Sequence, residues 1–505
     1  MSAGRSRRGE GGRYIPGGVP VKARKRFRAF TGITFGGGNA CRRIVLEKNR
    51  SPAILRSRGC GKSASVCRGP GICSCTETAR KPYRPPRKIN KRNRNGMDFK
   101  KMARECLHYV SVLIGKHGPR LAGTEACRAC AQDIKDRLSA SCDRVLMEGF
   151  EFNSGAFTGF MKILAVGYSV ITAGAFLGGY WLIPAMLAYV VCNLSAVGGF
   201  VFYKRIFDPF YKKSRGWNVS GEILPKGETA RQIVIAGHHD SANLFNYMVY
   251  LQKWYSVRIV TGLVFVFVPG FFVFAWGALH LAGYADPGFV TALRTALAVG
   301  LVMVLPFYFF VNKAAVPGAG DNLIATAILC RLAEVFGSPK KKGGRLSSTK
   351  LVFLSTDAEE EGLRGARAYV DAHREELLGV PTCVLNIDSL YSLGELRCLT
   401  SEINGFLKTS LPLAEDCRRI AEKLGYALSV VPIAFGGGGT DAAEFARIGV
   451  DATCILGLST HYIREGMVYH TMGDTVDKIE PAIVEAVLKI VYHFILEKDA
   501  GPGAP

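Results

Sequence analysis

The sequence predicts an α/β fold, a sheet layered by helices, interrupted by two inserted transmembrane helical hairpins. Three observations predict it. Short β-branched and aromatic runs (Gln232–Gly237, Leu351–Leu354, Cys383–Ile387, Ala452–Leu456) alternate with stretches of helical periodicity. From Ile163 to Tyr203 there are 41 residues without one Asp, Glu, Lys or Arg, about twice the ~20 apolar residues that a bilayer-crossing helix needs. The charge is also confined. Residues 1–96 hold 25 Lys+Arg against 3 Asp+Glu, and the other 409 hold 40 against 38, within a total of +24.

Taken in order, residues 1–96 are rich in Gly, Arg and Ser, with a Pro- and Arg-rich run at Lys81–Lys88. Lacking sustained apolar periodicity, they are expected to be disordered. They read either as a basic tail able to meet RNA or lipid, or as untranslated sequence ahead of a start at Met97. No apolar core follows the basic residues, which excludes a secretory signal. Cys60, Cys67, Cys73 and Cys75 fit no standard zinc-finger spacing. Because the remainder is nearly neutral, no specific nucleic-acid partner is expected of the folded body. Its ten cysteines are scattered, with Cys127 and Cys130 the only close pair, and resemble no disulfide framework, which favours a reducing compartment.

Residues 97–158 are expected to begin the folded body, with a turn over Gly118–Thr124, a helix over Ala126–Leu138 and a short strand at Phe150–Phe152. Residues 159–205 form the first hairpin, turning near Gly178–Gly179, with Lys162 at one foot and Lys204, Arg205, Lys212, Lys213 and Arg215 beyond the other. Residues 206–256 return to the body. Residues 257–312 form the second hairpin, Ile259–Leu281 and Ala292–Val311, joined by a loop with Asp286 and Pro287. Residues 313–497 complete the body, and 498–505 form a disordered tail. Both hairpins leave and re-enter on one side with basic flanks, so the expected product is a multi-pass protein of about four spans, with the lipid bilayer as partner and its body in the cytoplasm. Within the body, Asp321 or Asn322 is placed as the N-cap of a helix over Leu323–Phe336. Further helices are expected at about Gly362–Leu378, Leu411–Leu424 and Pro481–Leu496, with Leu428–Pro432 extended. The glycines Gly436–Gly439 lack the Lys-Ser/Thr that completes a phosphate loop.

The residues that carry chemistry fall where these strands end, the crevice in which α/β sheets bind ligands. Asp357-Ala358-Glu359-Glu360-Glu361 follows the second strand. Four carboxylates in five residues repel one another unless a cation sits among them, although a helix N-terminus also tolerates acids. His238 and Asp240 follow the first strand, Asp388 the third, Asp321 opens a helix, and His470 lies in a late loop. Two imidazoles and three carboxylates suit a pair of zinc ions about 3.5–4 Å apart. Mn2+ or Co2+ would be acceptable substitutes in so carboxylate-rich a site. Asp240, two residues from His238, is placed to fix its tautomer. No rule of spacing chooses between Glu359 and Glu361 as a base.

The ordered set Gly237-His238-x-Asp240-Ser241, Gly318-x-Gly320-Asp321-Asn322, Asp357-x-Glu359-Glu360-x-Gly362-Leu363, Asn386-x-Asp388 and Tyr469-His470-Thr471 resembles the dizinc aminopeptidase and glutamate-carboxypeptidase family of zinc metallopeptidases. Gly118-Pro119-Arg120, Gly123-Thr124 and Asp474-Thr475 look like that family's flanking segments. The resemblance covers most of residues 115–150 and 231–497. It implies a mixed β-sheet sandwiched by helices, with Asp321 bridging two zincs. It further implies His238 and Asp388 at one metal, Glu360 and His470 at the other, Glu359 as general base and Asp240 orienting His238. A membrane-anchored dizinc exopeptidase acting on peptides follows, most simply an aminopeptidase. A carboxypeptidase-like or aminoacyl-amide hydrolase with the same metals is the alternative, for which Arg397 or Arg464 would clamp a carboxylate. A non-catalytic membrane scaffold is the alternative from another class. Two departures stand out: the 83 positions and the hairpin between His238 and Asp321, where the family has a short connection, and a cytoplasmic body where the family is frequently secreted.

Overall fold

The computed structural model describes residues 97–337, 346–458 and 468–501. Residues 1–96 and Arg464, with the expectations attached to them, lie outside this range. The folded chain opens with α1 (Phe99–His117) and α2 (Glu125–Ser139), followed by β1 (Arg144–Asn153), α3 (Phe160–Leu177) and α4 (Leu182–Asn193). Next come β2 (Lys213–Ile223), β3 (Arg231–His238), β4 (Asn243–Phe245), α5 (Asn246–Leu251), α6 (Tyr255–Leu281), α7 (Val290–Val304) and β5 (Val311–Ala315). The third stretch holds α8 (Ile324–Gly337), β6 (Thr349–Thr356), α9 (Arg364–Ala372), α10 (Arg374–Gly379), β7 (Thr382–Leu390) and β8 (Arg397–Leu399). The last holds β9 (Ser401–Glu402), β10 (Leu407–Lys408), α11 (Leu411–Lys423), β11 (Ser429–Val431), α12 (Ala442–Arg447), β12 (Asp451–Gly457) and α13 (Pro481–Ala500).

Eight strands make one mixed sheet in the order β1-β2-β6-β3-β7-β12-β8-β11. Its centre, β6-β3-β7-β12, is parallel, while β2 runs antiparallel to both β1 and β6. Central strands covered on both faces read as continuous apolar runs, and their two faces separate by alternation. Ile233, Ile235, Leu351 and Phe353 pack into one core with α1, α2, α8, α11 and α13. Val234, Ala236, Val352 and Leu354 pack into the opposite core with α9 and α12. The expected sandwich is therefore present, and the parallel register brings His238 level with Thr356 and Ala236 level with Asn386. That alignment gathers the strand ends on one edge.

Local departures have physical causes. The strand expected at Phe150–Phe152 runs from Arg144 to Asn153 because all ten residues pair with β2. β2 itself is polar, with Asn218, Ser220 and Glu222 buried, and carries no apolar run to announce it. The helix expected over Gly362–Leu378 breaks at His373, whose ring stacks on Tyr369 at 4.3 Å and meets Glu148 at 2.9 Å. Asp321 and Asn322 are extended ahead of α8, and the Asp321 carboxylate turns to His238 and His470.

Four segments are long and apolar enough to cross a membrane: Phe160–Leu177, Gly179–Val201, Asn246–Leu281 and Val290–Phe309. They form one bundle with its own core around Tyr168, Val266, Trp276 and Leu297. Glycines let its helices approach: a Cβ on Gly277 would lie 2.4 Å from the Met186 sulfur, and one on Gly300 would strike the Tyr168 hydroxyl. Two polar groups inside it find backbone partners, Tyr168 with the Leu297 carbonyl at 3.1 Å and Arg294 with the Ala175 carbonyl at 2.8 Å.

Phe353 is fully buried at the middle of β6. Phe353→Ala is expected to cost about 3–5 kcal/mol through the cavity it leaves, lowering the thermal midpoint by roughly 5–10 °C. The exposed Val112→Ala should leave the midpoint within about 1 °C, since surface changes rarely exceed ~0.5 kcal/mol.

Candidate metal centre

Each functional side chain is delivered by a place where regular structure stops. His238 is the last residue of β3, Asp388 lies near the end of β7, and Glu359 and Glu360 follow β6. Asp321 precedes α8, and His470 sits in the loop before α13. Ala358, Leu363, Ser389 and His470 all hold φ between 45° and 63°. Such left-handed backbone in non-glycine residues costs of order 1–3 kcal/mol each and clusters where geometry must be imposed.

The sequence-predicted residues converge. His238 Nε2 lies 3.2 Å from Asp321 Oδ1, 3.8 Å from Glu359 Oε2 and 3.9 Å from Asp388 Oδ2. His470 Nε2 lies 3.2 Å from Asp321 Oδ2 and 3.2 Å from Glu360 Oε2. Asp321 thus stands between two imidazoles, one oxygen toward each. Asp240 Oδ1 lies 3.2 Å from His238 Nδ1, and its two oxygens accept the amides of Glu359 and Glu360, each at 3.2 Å.

These atoms fit a cation. His238 Nε2, Asp321 Oδ2, Glu360 Oε1 and both ring nitrogens of His470 are buried without a hydrogen-bond partner, although buried polar atoms are nearly always paired. Two donor triads lie within reach of single ions, His238–Asp321–Glu360 and His238–Glu359–Asp388. Imidazole with carboxylate is a zinc donor set. A third triad, Cys127–His239–Asp357, is already engaged in hydrogen bonds. The Cys127 thiol donates to Asp357 at 3.2 Å, and Asp357 accepts from Trp217 N at 2.9 Å and Ala358 N at 2.7 Å. His239 Nδ1 meets Ser355 Oγ at 2.9 Å, and burial holds that ring down to about 3, hence neutral. Cys127 therefore supports the acidic loop.

Burial also sets the charge in the cluster. It pushes Glu360 and Asp388 each up to about 7 and Glu359 well above the carboxylate range, with neighbouring carboxylates adding to the shift. Burial opposes charge on His470, but Glu360 and Asp321 outweigh it and hold the ring up to about 10. His238 is raised in the same way against burial, chiefly by Glu359. Asp321 is pushed up by burial, yet the imidazoles of His238 and His470 beside it bring it below its ordinary value.

Three supporting residues went unrecognised as such in the sequence. Arg120 is fully buried; it donates to the carbonyls of His239 at 2.9 Å, Gly118 at 2.8 Å, Pro317 at 2.9 Å and Gly318 at 3.1 Å. It thereby ties the His238 loop to the Asp321 loop. Asp474 accepts from Gly320 N at 2.8 Å and Asp321 N at 3.3 Å, which fixes the backbone behind Asp321. Asn218 of β2 accepts from Asp357 N at 3.1 Å and donates to the Gly365 carbonyl at 2.8 Å. Arg120 and Asp474 had a signal, the flanking segments Gly118-Pro119-Arg120 and Asp474-Thr475, and Asn218 had none.

The arrangement is a buried imidazole–carboxylate site at the carboxyl ends of the sheet's parallel strands. Residues 306–495 match the model of peptidase family M28. Over 164 residues the chain is 30% identical to a probable glutamate carboxypeptidase from Arabidopsis thaliana, covering 31% of this chain and 23% of that one. Over another 164 it is 28% identical to the aminopeptidase YwaD of Bacillus subtilis, covering 32% of this chain and 34% of that one. It thus spans a quarter to a third of the length of the curated relatives it matches. A solved zinc aminopeptidase from Bacillus subtilis aligns at 16% identity and a TM-score of 0.46, over 78% of this chain and 95% of that one.

The raised acids yield a pH prediction. Groups whose folded pKa is raised stabilise fully below their unfolded value, about 4 for a carboxyl, and that contribution is lost as pH climbs through the folded value, here about 7. The raised His238 and His470 act in the same direction, and the lowered Asp321 opposes only at more acidic pH. Zinc replaces those protons. The thermal midpoint of chelator-treated protein should therefore fall between about pH 5 and 8 and that of zinc-loaded protein should not; equal falls in both would contradict the charge balance.

Proposed function

We propose that the chain is a membrane-anchored, dizinc exopeptidase that removes N-terminal residues from peptides. One observation carries the reading: the Asp321 carboxylate stands between His238 and His470, 3.2 Å from each, as a carboxylate shared by two ions must. In this account His238 and Asp388 would hold one zinc, Glu360 and His470 would hold the other, and Asp321 would serve both. Zinc bound there supplies Lewis-acid activation of water and of the scissile carbonyl. Glu359, held by the amide contact of its backbone to Asp240, takes a proton from the attacking water and delivers it to the leaving amine. Asp240 fixes the His238 ring through Nδ1.

The electrostatics favour an amino terminus over a carboxylate. Glu402 and Asp441 are fully buried near Asp388; burial raises them to about 8 and about 7, so each can ionise beside an arriving cation and stays neutral beside an anion. Arg397, the described candidate for a carboxylate clamp, is paired with Glu395. A peptide ammonium is the terminal group that such surroundings attract.

Membrane anchoring is supported by the four apolar segments and by where the charge lies. Lys162, Lys204, Arg205, Lys212, Lys213 and Arg215 flank the hairpin feet, whereas the loops at the tips hold Asp286 and no Lys or Arg. Positive-inside reasoning places the body in the cytoplasm.

The test is hydrolysis of a mixed peptide library by detergent-purified full chain loaded with zinc, wild type beside Glu359→Gln, read by mass spectrometry. Stepwise loss of N-terminal residues by wild type is expected, with Glu359→Gln slower by about 10²–10⁴-fold, the usual worth of a general base. Loss from the C-terminus would replace the substrate class. Absence of cleavage by zinc-loaded wild type would leave a non-catalytic scaffold.

A further inference from the structure

The cleft beside the cluster is lined on one side by the feet of the apolar bundle and on the other by Leu121, Ala122, Ser241 and the acidic loop. Thr158, two residues ahead of α3, lines it together with Glu360, and so do Asn243 and Phe245 of β4, which continues directly into α5 and α6. Phe245 stands edge-on to His470 with ring centroids 4.4 Å apart, and its amide donates to the His470 carbonyl at 3.1 Å. The same ring packs on Phe310, at the end of the fourth apolar segment, at 4.6 Å. β4 and β5 pair antiparallel and close the second hairpin against the site. The insert therefore forms the wall that a substrate side chain would touch.

The body exposes aromatic rings beside the foot of the first hairpin. A Cβ on Gly362 of the acidic loop would meet Phe157 at 2.8 Å, Phe157 packs on Tyr203 at 4.7 Å, and the neighbouring Phe202 packs on Phe406 at 5.1 Å. Phe406 in turn reaches Phe435 at 6.3 Å. These last two rings, on loops of the α/β body, are 59% and 74% exposed. Their loops are fastened to the hairpin: Asn404 donates to the Phe200 and Val201 carbonyls, and Gly438 N donates to Asn404. Clustered exposed rings are costly in water and mark interaction surfaces. Beside membrane-length helices with basic flanks they have the composition of an interfacial belt, where rings sit at headgroup level.

We infer that the cleft opens at the lipid interface and that the preferred substrate is a peptide anchored in the membrane surface, presenting its free terminus to the metals from the bilayer side. This rests on the membrane-anchored peptidase reading above. It accounts for the interrupted chain between His238 and Asp321: the second hairpin supplies Phe245 as a wall of the cleft and at the same time sets that wall's height against the bilayer.

The experiment uses the full chain, zinc-loaded, in phosphatidylcholine vesicles, with one heptapeptide offered free or carrying a myristoyl group on a C-terminal lysine. Extra vesicle lipid dilutes the anchored form at constant bulk concentration. The anchored peptide should be cut with kcat/KM at least about tenfold higher, because a single acyl chain partitions with a constant on the order of 10⁴ M⁻¹. Its rate should fall as lipid is added, and that of the free peptide should not. Phe406→Ser/Phe435→Ser, checked for a wild-type thermal midpoint, should narrow the ratio between the two substrates. Equal rates with no effect of added lipid, or a preference for the free peptide, would overturn the inference while leaving the peptidase reading intact. Cleavage of neither would overturn both.

Discussion

Everything around the sheet's carboxyl edge answers to one constraint, a surplus of buried negative charge. Asp240, Asp321, Glu359, Glu360 and Asp388 converge on His238 and His470 in a space with almost no access to water. Each ion held there unpaired costs several kcal/mol. The fold nevertheless aims the groups at one another and clamps their backbones, with Asp240 on the amides of Glu359 and Glu360 and Asp474 on those of Gly320 and Asp321. Arg120 spends its guanidinium on four carbonyls instead of neutralising a carboxylate. That is the layout of a chain whose missing positive charge arrives as a metal ion.

How much of this was legible depended on whether the information was local. His238, Glu359, Glu360 and Asp388 could be read because each follows an apolar run short enough to be a strand, and the parallel register then brings those ends together. The four apolar segments were legible from length and lack of charge, and the structure gives them helical boundaries within a few residues of those expected, except that the third begins at Asn246, well ahead of Ile259. β2 was not legible. Its buried Asn218 and Glu222 look like loop residues until Asp357, Gly365 and Lys350 are seen beside them. The segments of Arg120 and Asp474 were legible as flanks but their roles were not, since their partners lie about 120 to 200 and 150 residues away in the chain. The Asp321 expectation failed locally: a carboxylate before a helix usually caps it, but here two imidazoles compete for the side chain and win.

The inserted hairpins show how a large interruption leaves a site intact. Loop closure grows only as the logarithm of length, so 83 positions between His238 and Asp321 weigh little against the sheet that holds both ends. The insert is also fastened where it enters and leaves, by the β4–β5 pairing and by Asn246 N on the Phe310 carbonyl at 3.0 Å. Phe245 then carries the contact to His470.

The central claim is that one carboxylate serves two ions, and the zinc content of purified full chain tests it most directly. Wild type and Asp321→Asn would be dialysed against limiting free zinc and measured by mass spectrometry of the metal. The account predicts two zincs per wild-type chain and loss of both, or of all but a fraction of one, in Asp321→Asn. A single zinc per wild-type chain, or an Asp321→Asn chain that keeps both, would contradict it.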